Sequence, residues 1–423
     1  MNRDDCVALD ERDPLAIHRR AFALPSNVIY LDGNSLGALP RTTSARVREV
    51  IEREWGEGLI RSWNAAHWTD LPRRVGAKIA RLVGAQPHEV ICTDSTSINL
   101  FKVLASALRL QASRPQVSLS ERRVILSERG NFPTDLYVAQ GLASLLDHGH
   151  ELKLVAPGEV LQAIDERTAV VMLTHVNFRT GAMHDLAGVT RRAHEAGALT
   201  VWDLAHSAGA VPVVLNATSA DFAVGCGYKY LNGGPGAPAF LFAATRHLSA
   251  LADDTFAQPL SGWFGHRTPF EFVPDYRPAP SIDRYAVGTP SIIGLAALDA
   301  GVDTVLAAGI GPLREKSVAL TELFIRLVEQ HCGGQELELA SPRDPERRGS
   351  QVCYSHAQAY PVVQALIARG VIGDFREPDI LRFGFAPLYL GHADVWDAVA
   401  ALREVLASAE WKRPEFRLKA SVT

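Results

Sequence analysis

Two short stretches carry the side chains most able to do chemistry, V-W-D-L-A-H-S-A-G-A (201–210) and D-F-A-V-G-C-G-Y-K-Y-L-N-G-G-P-G (221–236). Asp203 closes an apolar run, and His206 follows it by three positions. Lys229 is preceded by Gly225-Cys226-Gly227-Tyr228 and followed by Gly233-Gly234-Pro235-Gly236, so the backbone can approach closely and turn freely around it. An amine held in a crowded, partly dry site loses its proton more easily and can form a Schiff base with an aldehyde. A carboxylate beside a pyridine nitrogen favours the protonated ring and makes it an electron sink. Pyridoxal phosphate needs these two groups above all others. The competing reading makes Asp203 a turn cap and Lys229 a solvated loop charge. The pair at two strand ends, in this glycine context, argues against it.

A phosphate-bearing cofactor also needs an anion seat. Ser95-Thr96-Ser97 at a predicted helix start offers hydroxyls, free amides and the positive end of a helix dipole, although the same residues suit an ordinary N-cap. In N-F-P-T-D (131–135), Pro133 falls near a first helical position. Phe132 there can lie flat on a planar ring and Asp135 can reach its edge; a core phenylalanine and a first-turn carboxylate are the plainer alternative.

The elements that must position these residues alternate. Helical patterns at 71–83, 98–108, 133–146, 160–165 and 185–196 lie between strand-like runs at 89–93, 124–127, 152–156, 169–175 and 199–205, with two more strands at 222–227 and 239–243. This predicts an α/β fold with a mostly parallel central sheet, buried strands and helices on both faces, with ligands bound at the carboxyl ends of the strands. From about residue 311 the pattern changes to long helices (292–308, 313–330), short strands (351–355, 380–385) and further helices (360–369, 392–409). We therefore expect an N-terminal segment (1–64) that packs on the other domains, its Gly, Pro and Trp content suiting loops. A large α/β domain (65–310) and a smaller C-terminal α+β domain (311–423) follow it.

Composition excludes several classes. The 423 residues are 47% hydrophobic and 21% charged with a formal net charge of −4, which argues against disorder and against nucleic acid as a partner. No run of 18 apolar residues exists, and the amino end lacks an apolar leader, so we expect a soluble, cytoplasmic chain that spans no membrane. The five cysteines are scattered, odd in number and without a C-x-x-C pair, so neither a disulfide framework nor a structural metal site is expected.

The motifs resemble one family closely, the kynureninases. The matches are Y-L-D-G-N-S-L-G-A-L-P (30–40), S-T-S-I-N-L-F-K (95–102), F-P-T-D (132–135), W-D-L-A-H-S-A-G-A (202–210), G-Y-K-Y-L-N-G-G-P-G (227–236), G-W-F-G-H (262–266), G-T-P-S (288–291) and R-F-G-F-A-P-L-Y (382–389). The resemblance implies the aspartate-aminotransferase fold (fold type I, class V aminotransferase group) with pyridoxal 5′-phosphate as cofactor. It implies hydrolysis of L-kynurenine to anthranilate and L-alanine, or of 3-hydroxykynurenine to 3-hydroxyanthranilate and L-alanine, in tryptophan degradation and NAD precursor metabolism. By the same resemblance Lys229 is the Schiff-base lysine, Asp203 the pyridinium partner and Tyr228 a proton relay near the phosphate. Thr96, Ser97, Pro133, Thr134 and His206 contact the cofactor, Phe132 stacks on it, Asp135 assists at the ring edge, and Thr174 donates to its phenolic oxygen. Trp263 and Thr289 reach the phosphate from a neighbouring subunit, which makes a homodimer obligatory. Arg382 grips the substrate α-carboxylate, and Asn34, Ser35, Trp63 and His67 are candidates for the aryl end. No metal is implied.

Residues 111–121 and 342–348 carry no motif and are expected as surface loops. Cys353 falls in a predicted strand and does not resemble the reactive loop cysteine of cysteine desulfurases, so it reads as packing. The rival readings are a desulfurase or aminotransferase of the same fold, and a cofactor-binding regulatory module without turnover. The first lacks a loop cysteine and the last lacks a basic DNA-binding appendage.

Overall fold

The computed structural model describes residues 1–113, 122–252, 254–255 and 257–419. Strand β1 (Ile29–Tyr30) lies in the N-terminal segment. A seven-stranded sheet follows, built from β2 (Val90–Cys92), β3 (Val124–Glu128), β4 (Glu151–Val155), β5 (Thr168–Thr174), β6 (Leu199–Asp203), β7 (Phe222–Gly225) and β8 (Phe240–Ala243). Their spatial order is β2-β8-β7-β6-β5-β3-β4. β8 runs antiparallel to both its neighbours; the pairs from β7 to β4 are all parallel.

Successive side chains of a strand point to opposite faces, and here each face meets its own core. Phe240 and Phe242 join one core with Val75 and Ile79 of the helix Leu71–Leu82 and Val189 of the helix Leu186–Glu195. Leu241 and Ala243, between and beyond them, join the other with Leu100 and Leu104 of the helix Thr96–Ala112 and Leu142 of the helix Pro133–Leu146. The predicted mostly parallel sheet with helices on both faces is what forms. Only the run at 152–156 departs from expectation: β4 is an edge strand with exposed and half-buried residues, not a buried one.

The C-terminal part holds β9 (Glu338–Leu339), β10 (Gln351–Ser355), β11 (Val371–Ile372), β12 (Asp374–Arg376) and β13 (Ile380–Gly384). β12-β13-β10-β9 form an antiparallel four-stranded sheet. The helix Ile310–His331 leaves Ile292–Ala308 at an 80° bend across Gly309, whose φ of 78° is one that L side chains rarely adopt. No single helix among the described residues is long and apolar enough to cross a membrane.

The N-terminal segment is not loop-like. Arg3–Asp10 is a helix closed by a reciprocal cap between Asn2 and Asp5, and Arg41–Glu49 winds on into a wider π-type turn, Val50–Glu57. R-T-T-S-A-R-V-R-E has almost no apolar stripe, which is why periodicity missed it. β1 pairs in parallel with β11, and Asp32 bridges to Gly384 at the end of β13. Of the motif-free stretch 111–121, residues 114–121 lie outside the described residues. Gln111 is no loop residue: it ends a helix, buried, and donates to the carbonyls of Ala169 and Gly197. Arg348, in the other expected loop, is also buried, with its guanidinium bonded to the carbonyls of Pro342 and Arg343.

Asp221, at the turn into β7, ties three elements together. It accepts from the Thr200 amide at 2.8 Å, Arg246 Nη2 at 2.7 Å, and the rings of His194 (2.8 Å) and His247 (2.7 Å). Burial pushes its carboxyl upward, but the hydrogen bonds from the two histidines prevail and hold it well below the usual carboxylate range. A carboxyl depressed on folding contributes stability above its unfolded value, and that contribution is lost as pH falls through the acid range. Asp221→Ala should lower the unfolding free energy at neutral pH by about 3–5 kcal/mol, because it strands a buried cluster of donors. Denaturant titrations at several pH values should also give the variant a flatter acid limb than the parent.

Candidate active site

Asp203 is the last residue of β6, and its Cα register partner on β5 is Thr174, so both side chains stand at the carboxyl edge of the sheet. Asp203 is buried and accepts the Ala205 amide at 2.7 Å. Asp135, in the first turn of the helix Pro133–Leu146, is buried beside it, and the two carboxyls are hydrogen-bonded to one another. Burial raises both; the neighbouring Asp203 charge pushes Asp135 further, well above the usual carboxylate range. Two carboxyls this close and this buried disfavour double ionisation, so each raises the proton affinity of the pair. Thr174 Oγ1 donates to Asn131 Oδ1 and lies 3.3 Å from Asp135 Oδ2, while Asn131 Oδ1 also takes the Phe132 amide at 2.7 Å.

Lys229 Nζ lies 2.9 Å from His206 Nε2. His206 is buried, and burial together with the Lys229 charge holds its ring well below the ordinary histidine range, so it is neutral and accepts from the amine. Burial likewise raises the Tyr228 phenol above its ordinary value, so its hydroxyl keeps its proton. These groups open onto a cavity of about 490 Å³, within the range usual for small-molecule sites. Ser95, which also lines the cavity, caps the helix Thr96–Ala112, accepting the Ile98 amide at 3.4 Å.

Of the residues expected against a cofactor, Thr96, Ser97, Phe132, Thr134, Asp135, Thr174, Asp203, His206, Tyr228, Lys229 and Thr289 all line this cavity. Thr289 does so from its own chain, whereas the resemblance assigned it to a neighbour's site. Two do not line it. Pro133 is an exposed first-turn residue, its ring spent on starting the helix. Trp263 packs away from the cavity in an aromatic group with Phe264, Phe270 and Phe272.

The expected substrate residues also divide. Arg382 on β13 is buried beneath the cavity and gives Nη1 to the carbonyl of Phe178, a cavity-lining residue, at 2.7 Å. Ser35 lies 2.6 Å from Arg382 Nη2, and Asn34 donates to Gln351 Oε1 at 3.3 Å. Trp63 and His67 are outside the cavity wall: Trp63 packs edge-on against Trp68, and His67 is exposed on a turn with φ of 53°. The sequence reading passed over Asn131, Phe178, Asp374 and Arg376. Asn131 was legible beside Phe132; Asp374 and Arg376 sit in a short polar strand with no pattern to mark them.

Residues 313–402 match the model of the kynureninase C-terminal domain. A protein named kynureninase from Burkholderia mallei (strain SAVP1) is 56% identical over 422 residues, covering 100% of this chain and 99% of that protein. One of the same name from Pseudomonas fluorescens is 55% identical with the same coverage. This chain belongs to the kynureninase family. Solved structures share its fold at lower identity. An apo cysteine desulfurase from Thermococcus onnurineus NA1 matches with a TM-score of 0.74 at 20% identity, covering 93% of this chain and 98% of that one. A C-DES variant with glycine covalently linked to its PLP cofactor matches at 0.76 and 16%, covering 91% and 99%. The desulfurase likeness extends to the fold alone: all five cysteines here are buried, and burial pushes the Cys353 thiol up to about 12.

The D-G-N-S-L-G motif owes its last glycine to this site. Gly37 donates its backbone amide to the Tyr228 carbonyl (2.8 Å), and a Cβ there would stand 2.3 Å from the Lys229 carbonyl and 2.7 Å from Asn232 Cα. Neither backbone atom can swing aside. Gly37→Ala should cost about 1–3 kcal/mol of stability through overpacking. It should also reduce turnover by displacing Lys229; thermal melts read alongside steady-state rates check both.

Proposed function

We propose that this chain hydrolyses L-kynurenine to anthranilate and L-alanine, with pyridoxal phosphate held between the helix Thr96–Ala112 and Asp203. The observation that carries this reading is Lys229 Nζ against the neutral His206 ring, in one cavity with the buried carboxyls of Asp135 and Asp203 and the helix start at Ser95–Ser97. The residues fit the cofactor. A protonated ring nitrogen would answer the buried Asp203–Asp135 pair. The first-turn amides and the hydroxyls of Thr96, Ser97 and Thr289 suit a phosphate. Phe132 lines the cavity and is fixed edge-on by Phe178 at 5.2 Å, which suits a stacking face.

When bound, the cofactor supplies an aldehyde for an amine and a ring that accepts the electron pair left at the substrate Cα. Asp203 keeps the ring nitrogen protonated, and Asp135 supports that charge. Thr174, whose hydroxyl donates to Asn131 Oδ1, would turn that proton to the cofactor's phenolic oxygen. Lys229 takes the Cα proton at Nζ, and the uncharged His206 leaves the amine free to do so. Tyr228, whose phenol burial keeps protonated, would return a proton to the alanine fragment when hydrolysis of the Cβ–Cγ bond releases anthranilate. Arg382 holds the α-carboxylate with a planar fork suited to it.

The same reading makes the enzyme a homodimer. Trp55, Ile60 and Phe272 are exposed, at 58%, 77% and 75%, large apolar side chains that a second copy would cover. Trp263, outside its own cavity beside Phe272, then serves the second copy's site. Lys229→Ala should abolish anthranilate release, followed by its fluorescence, and near-normal release would refute the assignment. If sites are shared, co-refolding Lys229→Ala with Trp263→Ala should restore about a quarter of the activity by forming one intact site per mixed dimer. No recovery would overturn the shared site.

A further inference from the structure

Arg382 does not stand alone. Asp374 on β12 is its Cα partner across the small sheet and takes Arg382 Nε at 2.7 Å and also Nη2. The same carboxylate takes Arg376 Nη2 at 2.6 Å. Ser35 Oγ completes the knot, donating to Asp374 at 2.7 Å and accepting from Arg382 at 2.6 Å and Arg376 at 3.2 Å. Both guanidinium groups bear electrostatically on His206, the neighbour of Lys229, so the cluster adjoins the cavity. Asp32 closes it from the D-G-N-S-L-G loop: its carboxyl lies close enough to Ser35, Asp374 and Arg382 for each to act on it, and its Oδ1 is buried without a partner among the described residues.

The charges of this cluster matter as much as its shape. Two guanidinium groups and one carboxylate leave a net +1, which an incoming carboxylate neutralises. If Asp32 ionises as well, the cluster is neutral and attracts nothing. We propose that Asp374 is the positioning residue of the α-carboxylate seat, clamping Arg382 and Arg376 side by side, and that Asp32 sets the seat's net charge. This rests on the reading of Arg382 given above. Burial, and after it the Asp374 charge, push the Asp32 carboxyl up to about 8 against the pull of Arg382. The other groups facing Asp32 are Arg376 and the phenols Tyr30, Tyr230 and Tyr389, which keep their protons throughout this range. Below about pH 8 the acid is neutral and the seat is +1; above it the acid ionises and the seat weakens.

The test uses the holoenzyme and its D374N and D32N variants, with KM and kcat for L-kynurenine from about pH 7 to 9.5 and calorimetric binding of L-alanine at each pH. D374N should raise KM on the order of 10²-fold by loosening the fork, with kcat changed far less. A merely structural role would lower the melting temperature and leave KM in place. The wild-type KM should climb above about pH 8 more steeply than that of D32N, which keeps the +1 seat at every pH. A D374N enzyme with wild-type KM overturns the clamp, and identical pH profiles for wild type and D32N overturn the charge role. If D374N fails to fold, the D32N comparison decides. If the wild type releases no anthranilate, the functional reading has failed, and L-alanine binding still judges the seat.

Discussion

A carboxylate buried at the bottom of a cavity is the constraint on which the structure turns. Removing such a charge from water costs several kcal/mol unless something answers it. Asp203 is answered from three directions: the Ala205 amide, the Lys229 amine, and the Asp135 carboxyl beside it. Each answer comes from a different element, the strand-end turn, the glycine-rich loop and the first turn of a helix. They converge because parallel strands β5 and β6 end at the same level, which sets Thr174 and Asp203 side by side. The sheet is in effect a ruler that fixes where the carboxyl pair can be.

The smaller sheet supplies the other half of the site, and the N-terminal segment binds the halves together. Asp32 bridges to Gly384 on β13, Ser35 enters the Asp374–Arg382 cluster, and Gly37 lies against Lys229. Within six residues the chain passes from the Asp374–Arg382 cluster to the lysine loop. The motif is thus a structural tie as much as a source of ligands, and its two glycines stand where any Cβ would collide with Tyr389 or with the lysine loop.

Legibility in sequence followed the range of the interaction. The strands and helices of the large sheet announced themselves through local apolar runs, and the helix starts at Thr96 and Pro133 through their caps. Asp203 and Lys229 were legible because the chemistry needs those types beside glycine, whereas His206 entered only through the family resemblance. The clamp of Asp374 on Arg382 was not, since it depends on a cross-strand register between two short strands of unremarkable composition. Trp63 and His67 failed for a related reason: nearness in sequence to a glycine-rich loop says nothing about which wall a side chain reaches. The helices of the N-terminal segment stayed hidden because they are polar and held by distant partners, such as Asp10 accepting the His392 and Ala393 amides.

The desulfurase likeness illustrates how little the fold decides. The same sheet and helices serve a protein of that name, yet here every thiol is buried and the carboxyl-terminal sheet carries two arginines on one aspartate instead. What identifies this site is which amine faces the buried acid. Borohydride reduction of the cofactor-loaded protein, followed by proteolysis and mass mapping, locates that amine directly. The account predicts a single pyridoxyl label on the peptide bearing Lys229; a label on any other lysine, or none, contradicts it.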